Sequence, residues 1–233
     1  MYSFSFVANP SERPTKGPPA FPVYLFDVDG TLTDSASDIC GAIQHVLESR
    51  GRSDVDDVFL RRYIGLHLLD LFLDLGFPRE AIDEMIADYR VHYYASAHAG
   101  TRVYPGVAEG LAKLGGRKST ATTKGTAGTR SILELFGLLQ YFDHVQGTDG
   151  FPAKPEPDVI LASLRVFGAR PEECLLVGDA PADMEAGRRA GVKICAVRYG
   201  YGDPEELAKW EPDYWIDDLR ELVDGKMAAD ARR

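Results

Sequence analysis

The chain has 233 residues, 45% of them hydrophobic, and 26 Lys and Arg against 36 Asp and Glu give a formal net charge of -10. That acidity, with no local Lys/Arg cluster, argues against a general nucleic-acid binder, whose affinity rests on a basic surface; no apolar stretch approaches the ~20 residues of a membrane span. Three widely separated cysteines, Cys40, Cys174 and Cys195, fit a reducing compartment better than a disulfide framework, so a cytoplasmic location is expected.

Residues 1–21 hold Pro10, Pro14, Pro18 and Pro19 among small polar residues, with no apolar core after a basic start, and read as a flexible arm. An apolar run then predicts a strand over 23–28, buried on both faces. Side chains alternate along a strand, so Asp27 and Asp29 leave its C-terminal end on one side, roughly 6 to 7 Å apart along it. Two such carboxylates are close enough to share a cation or a reacting group. At Gly30 the missing side chain lets backbone N–H groups face an anion.

Residues 36–100 repeat apolar side chains at helical spacing with no intervening strand, first at Ile39, Ile43, Val46 and Leu47, then over 60–75 and 82–94. This block reads as an inserted helical cap. Its two ends are placed to form a two-strand hinge beside Asp27 and Asp29, and the cap then covers the mouth of the sheet, where open α/β proteins bind ligands. His45, His92, His98 and His144 have no spacing that makes a metal site or a triad and are taken as structural.

From residue 104 short apolar runs alternate with helical patterns, the signature of βαβ units. Strands are expected at 118–122, 143–147, 174–179, 192–198 and 213–216, and helices near 106–114, 126–137, 156–168, 182–190 and 204–210. Gly137, Gly168 and Gly191 fit helix C-terminal caps. The expected fold is α/β, a three-layer Rossmann-like parallel sheet core (22–35 and 101–226) carrying the all-helical cap (36–100) and a C-terminal tail (227–233).

Three more features carry polar chemistry. Ser119, Thr120, Thr122 and Thr123 make a polar end, where Thr122 or Thr123 offers a hydroxyl and amides to a phosphate. Lys154 is flanked by Pro155 and Pro157, which stiffen the backbone ahead of a helix. A fixed ammonium there neutralises phosphate charge and holds a neighbouring Asp ionised. Asp179 follows another buried strand, and with Pro181 opening the next helix Asp183 lies about one turn further on. Four acids at the ends of two strands suit a hard divalent cation, Mg²⁺ above others.

Together these residues resemble the haloacid dehalogenase-like superfamily. Its Asp-x-Asp-Gly-Thr-Leu-x-Asp motif matches 27–34, Lys-Pro-x-Pro-Asp matches 154–158, and Gly-Asp-x-x-x-Asp matches 178–183. The resemblance implies that Asp27 is a nucleophile forming an aspartyl-phosphate and that Asp29 acts as general acid and then base. It implies Thr122 as the phosphate-binding hydroxyl, with the Thr123 amide, Gly30 and Lys154 beside it. Mg²⁺ would be held by Asp27, the Asp29 carbonyl, Asp179 and Asp183, the last directly or through water.

The insertion resembles the small cap of phosphoglycolate phosphatase-like members, which makes Arg61, Arg62, Gly65 and His67 candidates for the substrate's non-phosphate end. Asp29 argues against carbon–halogen chemistry, and the absence of lysine from 64–67 argues against an imine-forming phosphonatase. The implied activity is a phosphatase for a small phosphorylated metabolite, phosphoglycolate first, working as a monomer or homodimer. Nucleotide, sugar-phosphate or pyrophosphate hydrolysis and phosphomutase chemistry are the alternatives within the superfamily. A non-catalytic regulator that binds a phosphorylated ligand is the rival from another class.

Overall fold

The computed structural model describes residues 17–223, so most of the arm expected at 1–21, the last three core residues and the tail at 227–233 lie outside the described residues. The chain runs β1 (Val23–Phe26), β2 (Thr33–Asp34), α1 (Ala36–Ser49), α2 (Asp57–Arg61), α3 (Leu68–Asp74) and α4 (Arg79–Ala95). It continues through β3 (Arg102–Val103), α5 (Val107–Lys113), β4 (Arg117–Thr120), α6 (Thr126–Leu135) and α7 (Asp158–Phe167). It closes with β5 (Cys174–Gly178), α8 (Pro181–Ala190), β6 (Lys193–Val197), α9 (Pro204–Ala208) and β7 (Tyr214–Ile216).

Five strands form one parallel sheet in the order β4-β1-β5-β6-β7. β1 lies inside that sheet, and its alternation divides the core. Tyr24 and Phe26 pack with Val107 and Leu111 of α5 and Ile132 and Leu133 of α6. Val23 and Leu25 pack on the other face with Val159, Ile160 and Leu164 of α7 and Met184 and Ala186 of α8. A strand apolar on both faces is stable only between two helical layers, which is the three-layer arrangement expected.

The run at 143–147 is not a strand. The Asp143 and His144 amides donate to the Lys118 carbonyl, but beyond them the Thr120 hydroxyl takes the ladder's place, accepting from the Gln146 amide at 2.9 Å and donating to its carbonyl at 2.8 Å. A side chain that satisfies both main-chain groups of Gln146 leaves nothing to continue the pairing.

β2 and β3 pair antiparallel, Thr33 with Val103 and Asp34 with Arg102, so the helical insertion leaves and returns through adjacent strands. Inside it, Ile39, Ile43 and Val46 of α1, Leu71 and Phe72 of α3, and Ile82, Met85 and Tyr89 of α4 share one buried cluster. Among the described residues no helix is long and apolar enough to cross a membrane. Cys40, Cys174 and Cys195 are buried and free.

Candidate active site

β1 and β5 pair in register, Phe26 opposite Val177, and the Asp27 amide continues the ladder to the Val177 carbonyl at 2.9 Å. The residues that follow both strands therefore emerge side by side. Asp27, Asp179 and Asp183 each bring a carboxylate oxygen within 4.8 Å of the other two, and all three are buried. Asp183 sits in the first turn of α8, where its Oδ2 accepts the Ala180 amide at 2.9 Å. Asp179 is fixed at both oxygens, Oδ1 by the Thr31 hydroxyl and Oδ2 by the Tyr201 amide, each at 2.9 Å.

Lys154, only 3% exposed, donates from Nζ to Asp27 Oδ1 at 2.8 Å and to Asp183 Oδ1 at 2.5 Å. One ammonium thus bridges two of the three carboxylates. Burial pushes the Asp27 carboxyl up to about 7, Lys154 pulls against that shift, and Asp183 and Asp29 add to it. Burial, then Asp27 and Asp183, hold Asp179 well above the ordinary aspartate range. Burial works against the charge on Lys154, yet Asp183 and Asp27 keep it above the usual lysine value.

The Asp27 Oδ2 atom is buried without a hydrogen-bond partner. An orphaned carboxylate oxygen amid like charges is what a bound cation relieves, and an all-oxygen donor set fits a hard divalent ion such as Mg²⁺. The pH dependence follows from the sign of the Asp27 shift. Its carboxyl rises from 3.8 to about 7, so the metal-free fold prefers it protonated. That preference contributes fully below the lower value and is lost as pH rises through the upper one. Mg²⁺ is accordingly expected to raise Tm more at pH 8 than at pH 5 in thermal scans; equal shifts would count against a cation at this triad.

Asp29 stands apart from the three. β1 ends at Phe26, so the two-residue alternation no longer governs position 29, and its carboxylate takes the Ser35 hydroxyl on Oδ1 at 2.5 Å and Lys124 Nζ on Oδ2 at 2.6 Å. This turn directs the Asp29 side chain to Ser35 and Lys124, away from the three clustered acids. Gly30 serves the same turn. Its amide donates to the Thr33 carbonyl at 2.8 Å instead of facing an anion. Glycine is required there because φ is +84° and a Cβ would collide with the Asp179 carboxylate.

Of the two threonines after β4, Thr122 is buried with its hydroxyl accepting the Lys124 amide at 3.3 Å, whereas Thr123 lines a cavity shared with Asp29. That cavity holds about 120 Å³ and is walled by Thr123 and Lys124 on the sheet side and by Gly65, His67, Tyr89 and Tyr93 of the insertion. Arg61 and Arg62 line a different cavity of about 540 Å³, which reaches Asp179 and Tyr201. The four insertion residues singled out in the sequence are therefore divided between two spaces.

Lys124 was not among the residues singled out. Its ammonium lies over the Tyr93 ring at 4.8 Å as well as against Asp29, and although burial opposes its charge, Asp29 and then Tyr93 and Tyr89 hold it well above the ordinary lysine value. The available signal was its place directly after the paired threonines. Thr31 falls inside the motif matched at 27–34, whereas Ser35 and Tyr201 carried no comparable signal, since each acts on a partner in another segment or around a turn.

Residues 24–197 match the family model of haloacid dehalogenase-like hydrolases. The chain is 34% identical over 205 residues to a phosphoglycolate phosphatase of Aquifex aeolicus, covering 86% of this chain and 94% of that one. It is 33% identical over 211 residues to phosphoglycolate phosphatase 1 of Pseudomonas aeruginosa, covering 85% and 77%. A crystal structure of a predicted phosphatase from Clostridium acetobutylicum aligns with a TM-score of 0.82 at 29% identity, covering 88% of this chain and 97% of the other.

Proposed function

The chain belongs to the haloacid dehalogenase-like hydrolase family, and we propose that it hydrolyses a small phosphomonoester, phosphoglycolate first, through an aspartyl-phosphate on Asp27 with Mg²⁺ bound. It is a phosphoric monoester hydrolase. The observation that carries the finer reading is Asp27 Oδ2, a buried and unpartnered oxygen of a carboxylate that belongs to the triad and has Lys154 on its other oxygen.

In the proposed reaction the Asp27 carboxylate attacks phosphorus and the ester P–O bond breaks, the departing alkoxide taking a proton from Asp29. Asp29 then removes a proton from water, whose oxygen attacks the same phosphorus and frees Asp27 and inorganic phosphate. Splitting the displacement matters because phosphate monoesters need accelerations of up to ~10²¹, whereas one acid–base group contributes about 10² to 10⁴. Lys154 offsets charge that would repel an anionic nucleophile from an anionic substrate. Asp27, Asp179, Asp183 and the Asp29 carbonyl would hold Mg²⁺, which when bound adds further charge neutralisation.

The leaving group belongs in the cavity that Asp29 lines. Its volume of about 120 Å³ is well below the ~300 to 1,000 Å³ of pockets that enclose drug-sized molecules, which favours a two- or three-carbon alcohol over a nucleoside. A panel of phosphoglycolate, a hexose phosphate, a nucleoside monophosphate and p-nitrophenyl phosphate, each with Mg²⁺ and with EDTA, tests the reading. Phosphoglycolate is expected to have the highest kcat/KM, with EDTA abolishing turnover of every compound. A clear preference for the hexose or nucleoside ester overturns the substrate assignment, and no phosphate release by a folded protein overturns the reaction.

A further inference from the structure

We propose that Ser35 and Tyr201 are positioning residues that tie the carboxylate of Asp29 to that of Asp179 through the N terminus of α1. This rests on the phosphatase reading, in which Asp29 is the acid–base group and Asp179 faces the metal.

A helix begins with N–H groups that have no partner inside it, and a serine at the position before the first turn ordinarily accepts one of them with its side chain. Ser35 occupies that position in α1 and makes no such bond. Its hydroxyl is turned away and donates to Asp29 Oδ1. The cap comes instead from the loop after β6, where the Tyr201 hydroxyl accepts the Ser35 amide at 2.7 Å and the Ala36 amide at 3.0 Å while donating to Asp34 Oδ1 at 2.8 Å.

Tyr201 is equally committed at its main chain, because its own amide donates to Asp179 Oδ2 at 2.9 Å. The rest of its loop is bound to the same carboxylate. Tyr199 donates from its hydroxyl to the Thr31 carbonyl at 2.9 Å, and the Thr31 hydroxyl donates to Asp179 Oδ1. Gly200 and Gly202 press their backbone so closely on Asp179 that a side chain at either would collide with it. The loop cannot shift without carrying Asp179, and α1 cannot shift without carrying Tyr201.

The arrangement divides two tasks that one serine cannot perform together. A Ser35 hydroxyl used as the cap would leave Asp29 held by Lys124 alone, on one oxygen. With Tyr201 serving as the cap, Ser35 fixes Oδ1 while Lys124 fixes Oδ2, so the plane of the Asp29 carboxylate is set. Because α1 is also the first helix of the insertion, seating the insertion and orienting both carboxylates become one event.

Ser35→Ala, Ser35→Thr and Tyr201→Phe test this with p-nitrophenyl phosphate and Mg²⁺ alone as probes. Ser35→Ala and Tyr201→Phe are each expected to lower kcat about tenfold or more with KM within about twofold, the loss typical of a misplaced reacting group. Ser35→Thr, which keeps the hydroxyl, is expected to recover most of kcat. Calorimetric titration should find Mg²⁺ affinity weakened several-fold by Tyr201→Phe, which keeps the amide bond to Asp179 but releases the loop that carries it from α1, and unchanged by Ser35→Ala, which leaves that loop anchored. Lower Tm in both with kcat and Mg²⁺ affinity at wild-type values would reduce the pair to a helix cap and overturn the proposal. If Tyr201→Phe fails to fold by circular dichroism, the contrast between Ser35→Ala and Ser35→Thr decides. If the wild-type protein turns over no phosphomonoester, the phosphatase reading fails, and the Mg²⁺ affinity of Tyr201→Phe still decides whether Tyr201 positions Asp179.

Discussion

Asp27→Asn is expected to abolish turnover, with kcat down about 10⁴-fold or more, as when the nucleophile of a covalent mechanism is removed. The substitution changes almost no volume, so the loss reports chemistry. An amide oxygen carries no charge with which to attack phosphorus, and Lys154 is left with Asp183 as its remaining acidic partner in the cluster.

Stability should move in the opposite direction. Burial raises the Asp27 carboxyl to about 7, so above that pH the metal-free fold carries an ionised group that it disfavours. A neutral amide removes that penalty. In EDTA at pH 8 the variant is expected to melt at or above the wild-type temperature, and Mg²⁺ should stabilise it less than it stabilises the parent. Turnover within tenfold of wild type would exclude Asp27 as the nucleophile, and a marked loss of Tm would point to a structural role.

Lys154→Met is expected to be the most damaging single change to both fold and activity. The residue is 3% exposed and its ammonium holds Asp27 and Asp183 together. Removing one partner of a buried ionic group leaves charge without compensation, which costs about 3 to 5 kcal/mol. The penalty should be larger at pH 8 than at pH 5, because protonation of the raised Asp27 carboxyl relieves it at the lower pH. Mg²⁺ should recover part of the stability by replacing the lost positive charge, and little of the activity. Lys154→Arg is not a conservative substitute, since a planar fork does not occupy the space of a compact ammonium between two carboxylates. Denaturant unfolding in EDTA at the two pH values measures the effect. A loss below about 1 kcal/mol would rank Lys154 with exposed ion pairs.

What was legible in advance depended on short range. The apolar run of β1 and the helical spacing of α1 and α4 are periodic patterns within a dozen or so residues, and they led to the sheet and to the insertion. Asp179 and Asp183 are one helical turn apart, so their convergence was readable from Pro181 and the spacing. The run at 143–147 met the same local criteria and still is not a strand, because Thr120 satisfies Gln146 with its side chain. Local pattern carries no information about such a competitor.

The separation of Asp29 from the triad had a similar origin. Alternation places side chains only while the backbone stays extended, and β1 ends one residue before Asp27, with the chain entering the Gly30 turn. Lys124, Ser35 and Tyr201 escaped notice because an isolated lysine, serine or tyrosine looks the same whether it faces solvent or a carboxylate.

By itself, then, the sequence determined which chemistry was possible: four acids and threonines at or just beyond the ends of buried strands, a lysine set among prolines ahead of a helix, and a helical block between the first strand and the rest. The tertiary structure decided which of those groups act together. Only strand order brought β5 beside β1 and so Asp179 and Asp183 to Asp27, and only the return of the loop after β6 brought Tyr201 onto both Asp179 and α1. The reason is physical: charge and hydrogen bonding act over a few ångströms of space, whereas the periodicities readable in a sequence act along the chain.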